Sequence, residues 1–423
     1  MRLWSIPMIY LGASVVCGLT LPRIEQAYGS LFALNLSVAS AQAYLSAATS
    51  GMMALTGIIF ALAFVMVQFS AVAYSPRLVL WFARDRLLFH SLGAFSATFL
   101  YALFTLAWID RGGSGAGPAL SMAAVAIMIV VSMVMFALLV QRLPTLQITN
   151  VLQLIGDKGR DVIRDMFEQQ EAAQTSDHIS ERGPDQTTML GPSTQILTYS
   201  GRPQTIAKFK IDALVEQARK HDAMIEMASA VGDTLVDGDV VLRVHAAKGR
   251  IGDDDLLHAI DLAGERTFEQ DPKYPIRLLV DIAIRALSPA INDPTSAVQA
   301  IDQIEDLLRR LGRYELNTGF ARDGDGKLRL TIPMPTWEDY LALAFDEIRQ
   351  YGATSVQVMR RLRSALVDLA ETTAPARAEA VRHYLLHLDL TVEHSLFDSE
   401  DKKTALQEDR QGLGLSRRRS EKI

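Results

Sequence analysis

The chain has 423 residues, 42 basic and 48 acidic side chains, a net charge of −6 and one cysteine, and 49% of it is hydrophobic. That length and apolar content suffice for two or three cores, and the single Cys17 excludes intramolecular disulfides. Charge is unevenly placed: residues 1–142 hold seven arginines, no lysine and three carboxylates, leaving 35 basic against 45 acidic residues beyond them. A membrane composition is thus followed by an acidic soluble one, and the acidic balance argues against nucleic acid as a partner, since phosphate binding needs net positive charge.

Four apolar runs come first, at Leu3–Leu21, Met52–Tyr74, Ser91–Ile109 and Ala119–Val140. Each is long enough, at ~1.5 Å per residue, to cross a hydrocarbon core of ~30 Å. None contains an internal Asp, Glu, Lys or Arg, whereas a helix buried in a soluble protein usually keeps a polar face. The first run follows Arg2, but the nearest cleavage-like tripeptide, Ala39-Ser40-Ala41, lies beyond Arg23 and Glu25; a retained helix is expected. Arg77, Arg84 and Arg86 lie between the second and third runs, and Arg142, Lys158, Arg160 and Arg164 follow the fourth. By the positive-inside rule both termini and the 75–90 loop face the cytoplasm. Small residues at Gly51, Ala54, Gly57 and Ala61, and again at Gly93 and Ala97, predict close helix contacts.

The expected organisation is a transmembrane domain over 1–142, a membrane-exit helix over 143–167, a flexible linker over 168–203 rich in polar residues, glycine and proline, a cytoplasmic domain over 204–397 and a disordered charged tail over 398–423. The fold class that follows is a membrane all-α part with four transmembrane helices, then a cytoplasmic α+β domain with β-hairpins and several helices. Within that domain, Asp212–Ala230 has helical apolar spacing. Val231–His245 alternates around Gly238-Asp239 as a hairpin does. Asp253-Asp254-Asp255 offers caps for a helix through Glu265. Helices are expected at Tyr274–Leu287 and from Asn292 to Leu311, with Asp293 as cap and Pro294 in the first turn. Glu315–Ala321 and Lys327–Pro333 form a second hairpin, and helices follow at Trp337–Tyr351, Thr354–Thr372 and Pro375–Ser395.

Several motifs bear on chemistry. Val231–Val244 resembles the paired turns of biotinyl and lipoyl carrier domains but lacks their lysine on a tight turn, so a structural hairpin is expected. Asp323-Gly324-Asp325-Gly326-Lys327 has two carboxylates in the style of a calcium loop without the third acidic position or the distal Glu, which reads as a polar turn. His383 and His387 share a helical face, with His394 further along, in a geometry able to bind zinc; no glutamate lies between them as in metalloproteases, and no metal, cofactor or catalytic residue is assigned.

Arg277, Asp281 and Arg285 stack at spacings of four along one apolar helix. They form either a salt-bridge ladder, within the fold or at a subunit contact, or an anion or ligand site completed by the helix start at Asn292 and Asp293, whose N–H groups favour negative charge. Arg77, Arg84, Asp85 and Arg86 are candidates for head-group or domain contact.

The segments Ser75-Pro76-Arg77-Leu78, Phe82–Arg86, Phe95-x-x-Thr98-Phe99-x-Tyr101, Arg266–Pro272, Leu279–Pro294 and Ala344–Gly352 together resemble the bacterial predicted membrane protein family called domain of unknown function 2254. The resemblance runs to about residue 395 and implies a bacterial inner-membrane location; it brings no activity. Two function classes follow. The leading one is an oligomeric, channel-like membrane protein passing a small ion or solute, with the cytoplasmic domain as vestibule or regulator; the charge-free spans weigh against a proton-coupled pump. Hydroxyls such as Ser70, Ser96 and Thr98 would be its lining. The other is a membrane-anchored scaffold or sensor whose Arg277–Arg285 stripe binds a partner or anionic ligand. The bilayer and further copies of the chain are the expected partners, and enzyme chemistry has no supporting constellation.

Overall fold

The computed structural model describes residues 4–28, 37–73, 86–109, 118–142, 147–175, 192–316, 319–395 and 397–413. Contacts divide the chain into two compact units, 1–150 and 151–423.

In the first unit, helices α1 (Ser5–Tyr28), α2 (Val38–Ala73), α3 (Arg86–Ile109) and α4 (Ala119–Gln141) are long and apolar enough to cross a membrane. Helix α2 starts at Val38 rather than Met52, because Val38–Ser50 is charge-free and rich in alanine. A hydropathy edge is therefore not a helix edge here. The other three helices pack around α3. A Cβ on Gly93 of α3 would meet the Tyr10 ring of α1 at 2.8 Å, and Ser14 Oγ donates to the Ala97 carbonyl at 2.6 Å, so this part of the small-residue pattern does serve helix approach. The α2 stripe differs: Gly51, Ala54, Gly57 and Ala61 are all exposed. Leu45, Tyr101 and Val125 fill one half of the bundle, and Met52, Ile59, Phe95 and Leu139 the other.

In the second unit, α5 (Ile148–Thr175) runs past the expected boundary at 167. Val151, Leu152, Ile155, Ile163 and Phe167 are buried on it. The segment expected as a linker thus contains the end of α5 and also β1 (Ser193–Thr198); residues 176–191 lie outside the described residues. After β1 come β2 (Gln204–Phe209), α6 (Ile211–Lys220), β3 (Met224–Met227), β4 (Thr234–Leu235), β5 (Val240–His245), α7 (Asp253–Leu257) and β6 (Ile260–Ala263). Three expectations are corrected here. The helix read over 212–230 stops at Lys220, and Met224–Met227 is instead a strand between β5 and a later strand. The helix read over 253–265 is the five-residue α7, followed by β6 on β2. The strands on either side of Gly238 do not form a hairpin: β4 pairs with β2, whereas β5 pairs with β1 and β3. The turn itself exists, with Gly238 at φ 91°, but it passes the chain from one sheet to another.

Helices α8 (Lys273–Ala286) and α9 (Pro294–Leu311) follow, then β7 (Phe320–Arg322) and β8 (Leu328–Thr331), then α10 (Trp337–Tyr351), α11 (Val356–Thr372), α12 (Pro375–Glu393) and α13 (Ser399–Ala405). The sheets have orders β1-β5-β3-β8-β7 and β4-β2-β6, with β3 and β8 parallel and the other pairings antiparallel. Phe209, Leu214, Ile225, Leu235, Val244, Leu256 and Leu330 fill one core between the two sheets and α6. The expected β7–β8 hairpin forms, with a shorter first strand. Helix α9 packs against α8 and α11, α8 against α10, and α11 against α12. The segment read as a disordered tail is folded through α13 and onward to Leu413, with Asp409 fully buried. Ion pairs of Asp409 with Arg360 and of Arg410 with Asp368 anchor it, and charge content alone reads as solvation. Residues 414–423 lie outside the described residues.

Candidate functional site

On α8 the charged stripe is paired at one end. The Arg277 guanidinium donates from Nη1 and Nη2 to the two oxygens of Glu347 on α10, at 2.6 and 2.8 Å, and from Nε to Asp281 at 2.7 Å. This fork fixes α8 against α10. The hydrogen-bonded Arg277 holds the Glu347 carboxyl below its usual range, and Glu347 with Asp281 holds Arg277 charged. Arg277 and Asp281 are thus tied to each other and, through Arg277, to α10. Arg285 differs: its Nε is buried without a hydrogen-bond partner, and it lies one turn before an exposed tip, Pro289-Ala290-Ile291-Asn292, with Asn292 at φ 50°.

The expected anion site at the start of α9 is not available in this form. The Asp293 side chain accepts from Ser296 N at 3.1 Å and from Ser296 Oγ at 2.5 Å. A carboxylate therefore already sits where an anion would bind, and a second negative charge beside it is disfavoured. The cap and Pro294 in the first turn are as the sequence predicts. Of the proposed head-group cluster, Arg86 is the exposed first residue of α3; Arg77, Arg84 and Asp85 lie outside the described residues.

The calcium-like loop is a closed polar turn. Asp323 accepts from the Asp325 and Lys327 amides at 3.1 and 2.9 Å and from Arg329 Nε at 2.6 Å, which uses the lone pairs a cation would need. His383 and His387 approach through Nε2 atoms 3.0 Å apart, while His394 Nδ1 lies 2.8 Å from the Leu390 carbonyl. Among the described residues no three potential ligands gather around a metal position.

Sequence reasoning missed two polar clusters. Arg266 Nε reaches the buried Asp271 carboxylate at 2.6 Å, with burial pushing that carboxyl up. The adjacent Gln270 spans the Phe209 backbone, accepting from its N–H at 3.0 Å and donating to its carbonyl at 3.2 Å. The Arg266–Pro272 stretch thereby locks the start of α8 to β2. Arg361 of α11, almost fully buried, donates to Asp302 at 2.7 Å and Glu305 at 2.5 Å on α9. An arginine flanked by Leu362 and Val358 gives a hint in the sequence, but its acceptors sit more than fifty residues away.

The family model described as "Predicted membrane protein (DUF2254)" matches residues 1–368. Two similar chains are the uncharacterized proteins Mb1321c of Mycobacterium bovis and Rv1290c of Mycobacterium tuberculosis, each 27% identical over 418 residues, covering 95% of this chain and 78% of the relative. No solved structure matches.

Proposed function

Because the chain belongs to the predicted membrane protein family DUF2254, whose description carries no activity, we propose its role from geometry: a membrane-anchored scaffold or sensor whose cytoplasmic unit binds a partner. The observation that carries the reading is how the hydroxyls of the spans are used. Thr98 donates to the Ala94 carbonyl and lies 3.1 Å from Ser132 Oγ on α4, Thr105 donates to Tyr101, and Ser14 to Ala97. The Ser14–Ala97 and Thr98–Ser132 bonds join neighbouring helices, and the other two fold the threonine hydroxyls back onto their own helix, whereas a permeation path needs its hydroxyls turned toward water. Phe95 and Phe136 meet edge to face in the same interior, 6.4 Å apart. The proposed partner surface is Arg285 with the apolar tip at Pro289–Ile291. A cation beside exposed apolar atoms suits an acidic, partly apolar segment. The proposed location is a bacterial inner membrane with both termini in the cytoplasm.

The test is twofold. Full-length protein in liposomes should pass none of a panel of ions and small solutes. With the fold intact by circular dichroism, R285E and I291D should each weaken capture of a partner at least tenfold. Robust flux through wild-type protein would overturn the reading.

An oligomeric channel is the second reading, and the outward stripe of Gly51, Ala54, Gly57 and Ala61 on α2 favours it. A pore would then lie between copies. Glycine at Gly51 and Gly57 leaves room for close approach of another helix.

A further inference from the structure

The strongest feature that the partner-binding reading leaves unused is the segment following α12. Residues 397–413 cross α11 by a few polar grips. Asp409 lies 3.8 Å from Arg360 Nη2, Arg410 pairs with Asp368, and Gln357 Nε2 donates to the Gly412 carbonyl at 2.5 Å. A Cβ on Gly412, which has φ 64°, would press into Val298 of α9. The strap buries only Ala405, Asp409 and Gly412, while Leu406 and Leu413 stay exposed. Its docking therefore contains almost no apolar burial, the term that dominates cohesion elsewhere in the fold. Ion pairs and single hydrogen bonds carry it, and those are weakened by salt.

The face beneath is built differently from an ordinary helix surface. Arg360, Ser364 and Asp368 follow one another at spacings of four, so they share one side of α11. The outer two hold Asp409 and Arg410. Ser364 between them has 0% exposure, and its Oγ has no hydrogen-bond partner. A buried hydroxyl left unsatisfied on the same side of the helix as those two ion pairs means that the pairs do not exhaust the polar chemistry of this side. The strap also lies beyond residues 1–368, the part that the family model matches, whereas α9 and most of α11 fall within it.

We propose that the Gln357–Asp368 face of α11 is a docking surface for a partner segment presenting adjacent acidic and basic side chains, and that residues 397–413 occupy it in cis as a releasable stand-in. Arg360 receives the partner's carboxylate, Asp368 its guanidinium or ammonium, and Ser364 a further acceptor. This surface is separate from the Arg285 tip, so either can fail without the other.

Hydrogen exchange on the full-length protein in nanodiscs tests it. The strap amides should exchange at least tenfold faster than the interiors of α9 and α11, and faster again when salt is raised to about 1 M, where the screening length falls to ~3 Å. In D409A/R410A the strap should lose protection while α9 and α11 keep theirs. A labelled peptide of residues 397–413 should bind that variant at least tenfold more tightly than wild type. Adding R360E should abolish the binding, and a D409R peptide should restore it. Exchange of the strap in step with α9 and α11 at every salt concentration would overturn the proposal, as would a peptide that ignores the freed face. Dimers formed by swapped straps would instead assign the face to a second copy and overturn the cis arrangement. If D409A/R410A fails to fold, the salt dependence of wild-type exchange alone decides.

Discussion

Arg277 and Glu347 join α8 to α10 by a two-pronged ion pair, with N–O distances of 2.6 and 2.8 Å. The same guanidinium holds Asp281, whose side chain is only 17% exposed. Removing Arg277 therefore does more than lose a contact: it strands a half-desolvated carboxylate. R277A should lower unfolding stability by about 2 kcal/mol, and E347Q, with a more exposed partner, by ~1 kcal/mol or less. Chemical denaturation of the two variants checks the order.

That pair also sets a pH dependence. Glu347 titrates below its ordinary value in the folded chain because Arg277 bonds its charged form. A group depressed on folding adds stability at pH above its unfolded pKa, about 4.3 for Glu, and that contribution disappears as pH falls through the folded value. Wild type should exceed E347Q in stability above about pH 5 and converge with it in more acidic solution. A constant gap from neutral to acid pH would show that the pair is not formed.

Two glycines on α5 look alike in sequence and should behave oppositely. A Cβ on Gly159 would come within 2.8 Å of both Leu307 methyls and 3.2 Å of Pro275 Cβ, inside a packed contact. A Cβ on Gly156 would meet chiefly the amide end of Gln303, which can swing aside. Alanine gains ~1 kcal/mol over glycine in a helix interior, while overpacking costs about 1–3 kcal/mol. G159A should thus be neutral to destabilising and G156A stabilising, read as shifts in denaturation midpoint.

What the sequence made legible is what local chemistry decides. The four apolar helices, the Asp293-Pro294 start of α9 and the Trp337–Tyr351 helix, with its Thr336–Asp339 capping box, all follow from neighbours within a few residues. The misread stretches depend on distant partners. Met224–Met227 continues the apolar spacing of α6, yet its backbone is claimed by β5 and β8, the latter about a hundred residues on. The alternation around Gly238 is genuine, but no local rule reveals that the two strands enter different sheets. In the candidate site the stripe was visible from its spacing of four. That Glu347 neutralises one end, while Arg285 Nε is buried without a hydrogen-bond partner, required α10 to be in place.

The Asp323 turn predicts a null response to calcium. Both carboxylate oxygens are engaged, by two backbone amides and by the buried Arg329. Millimolar calcium should leave the melting temperature unchanged, and D323N should lower it in the absence of any metal. Arg329 holds the Asp323 carboxyl low, so the loss in D323N should be largest at neutral pH and shrink as pH falls through the folded pKa. A calcium-induced rise in melting temperature would contradict the closed turn.

Glu25, which the sequence offers only as a charge between two spans, accepts from Leu120 N at 2.6 Å, Ser121 N at 3.0 Å and Ser121 Oγ at 2.8 Å. A carboxylate from α1 therefore caps the first turn of α4, where the unsatisfied amides and helix dipole favour negative charge. Arg23, two residues earlier, lies over the Trp108 ring of α3 at 4.8 Å, so the end of α1 grips two neighbours. E25Q keeps one good acceptor but loses the charge, and should cost about 1 kcal/mol; E25A leaves the amides without either and should cost about 2 kcal/mol. Steric-trap unfolding in bicelles measures both. Equal stability of the three proteins would mean that water or lipid head groups serve the amides as well as Glu25 does.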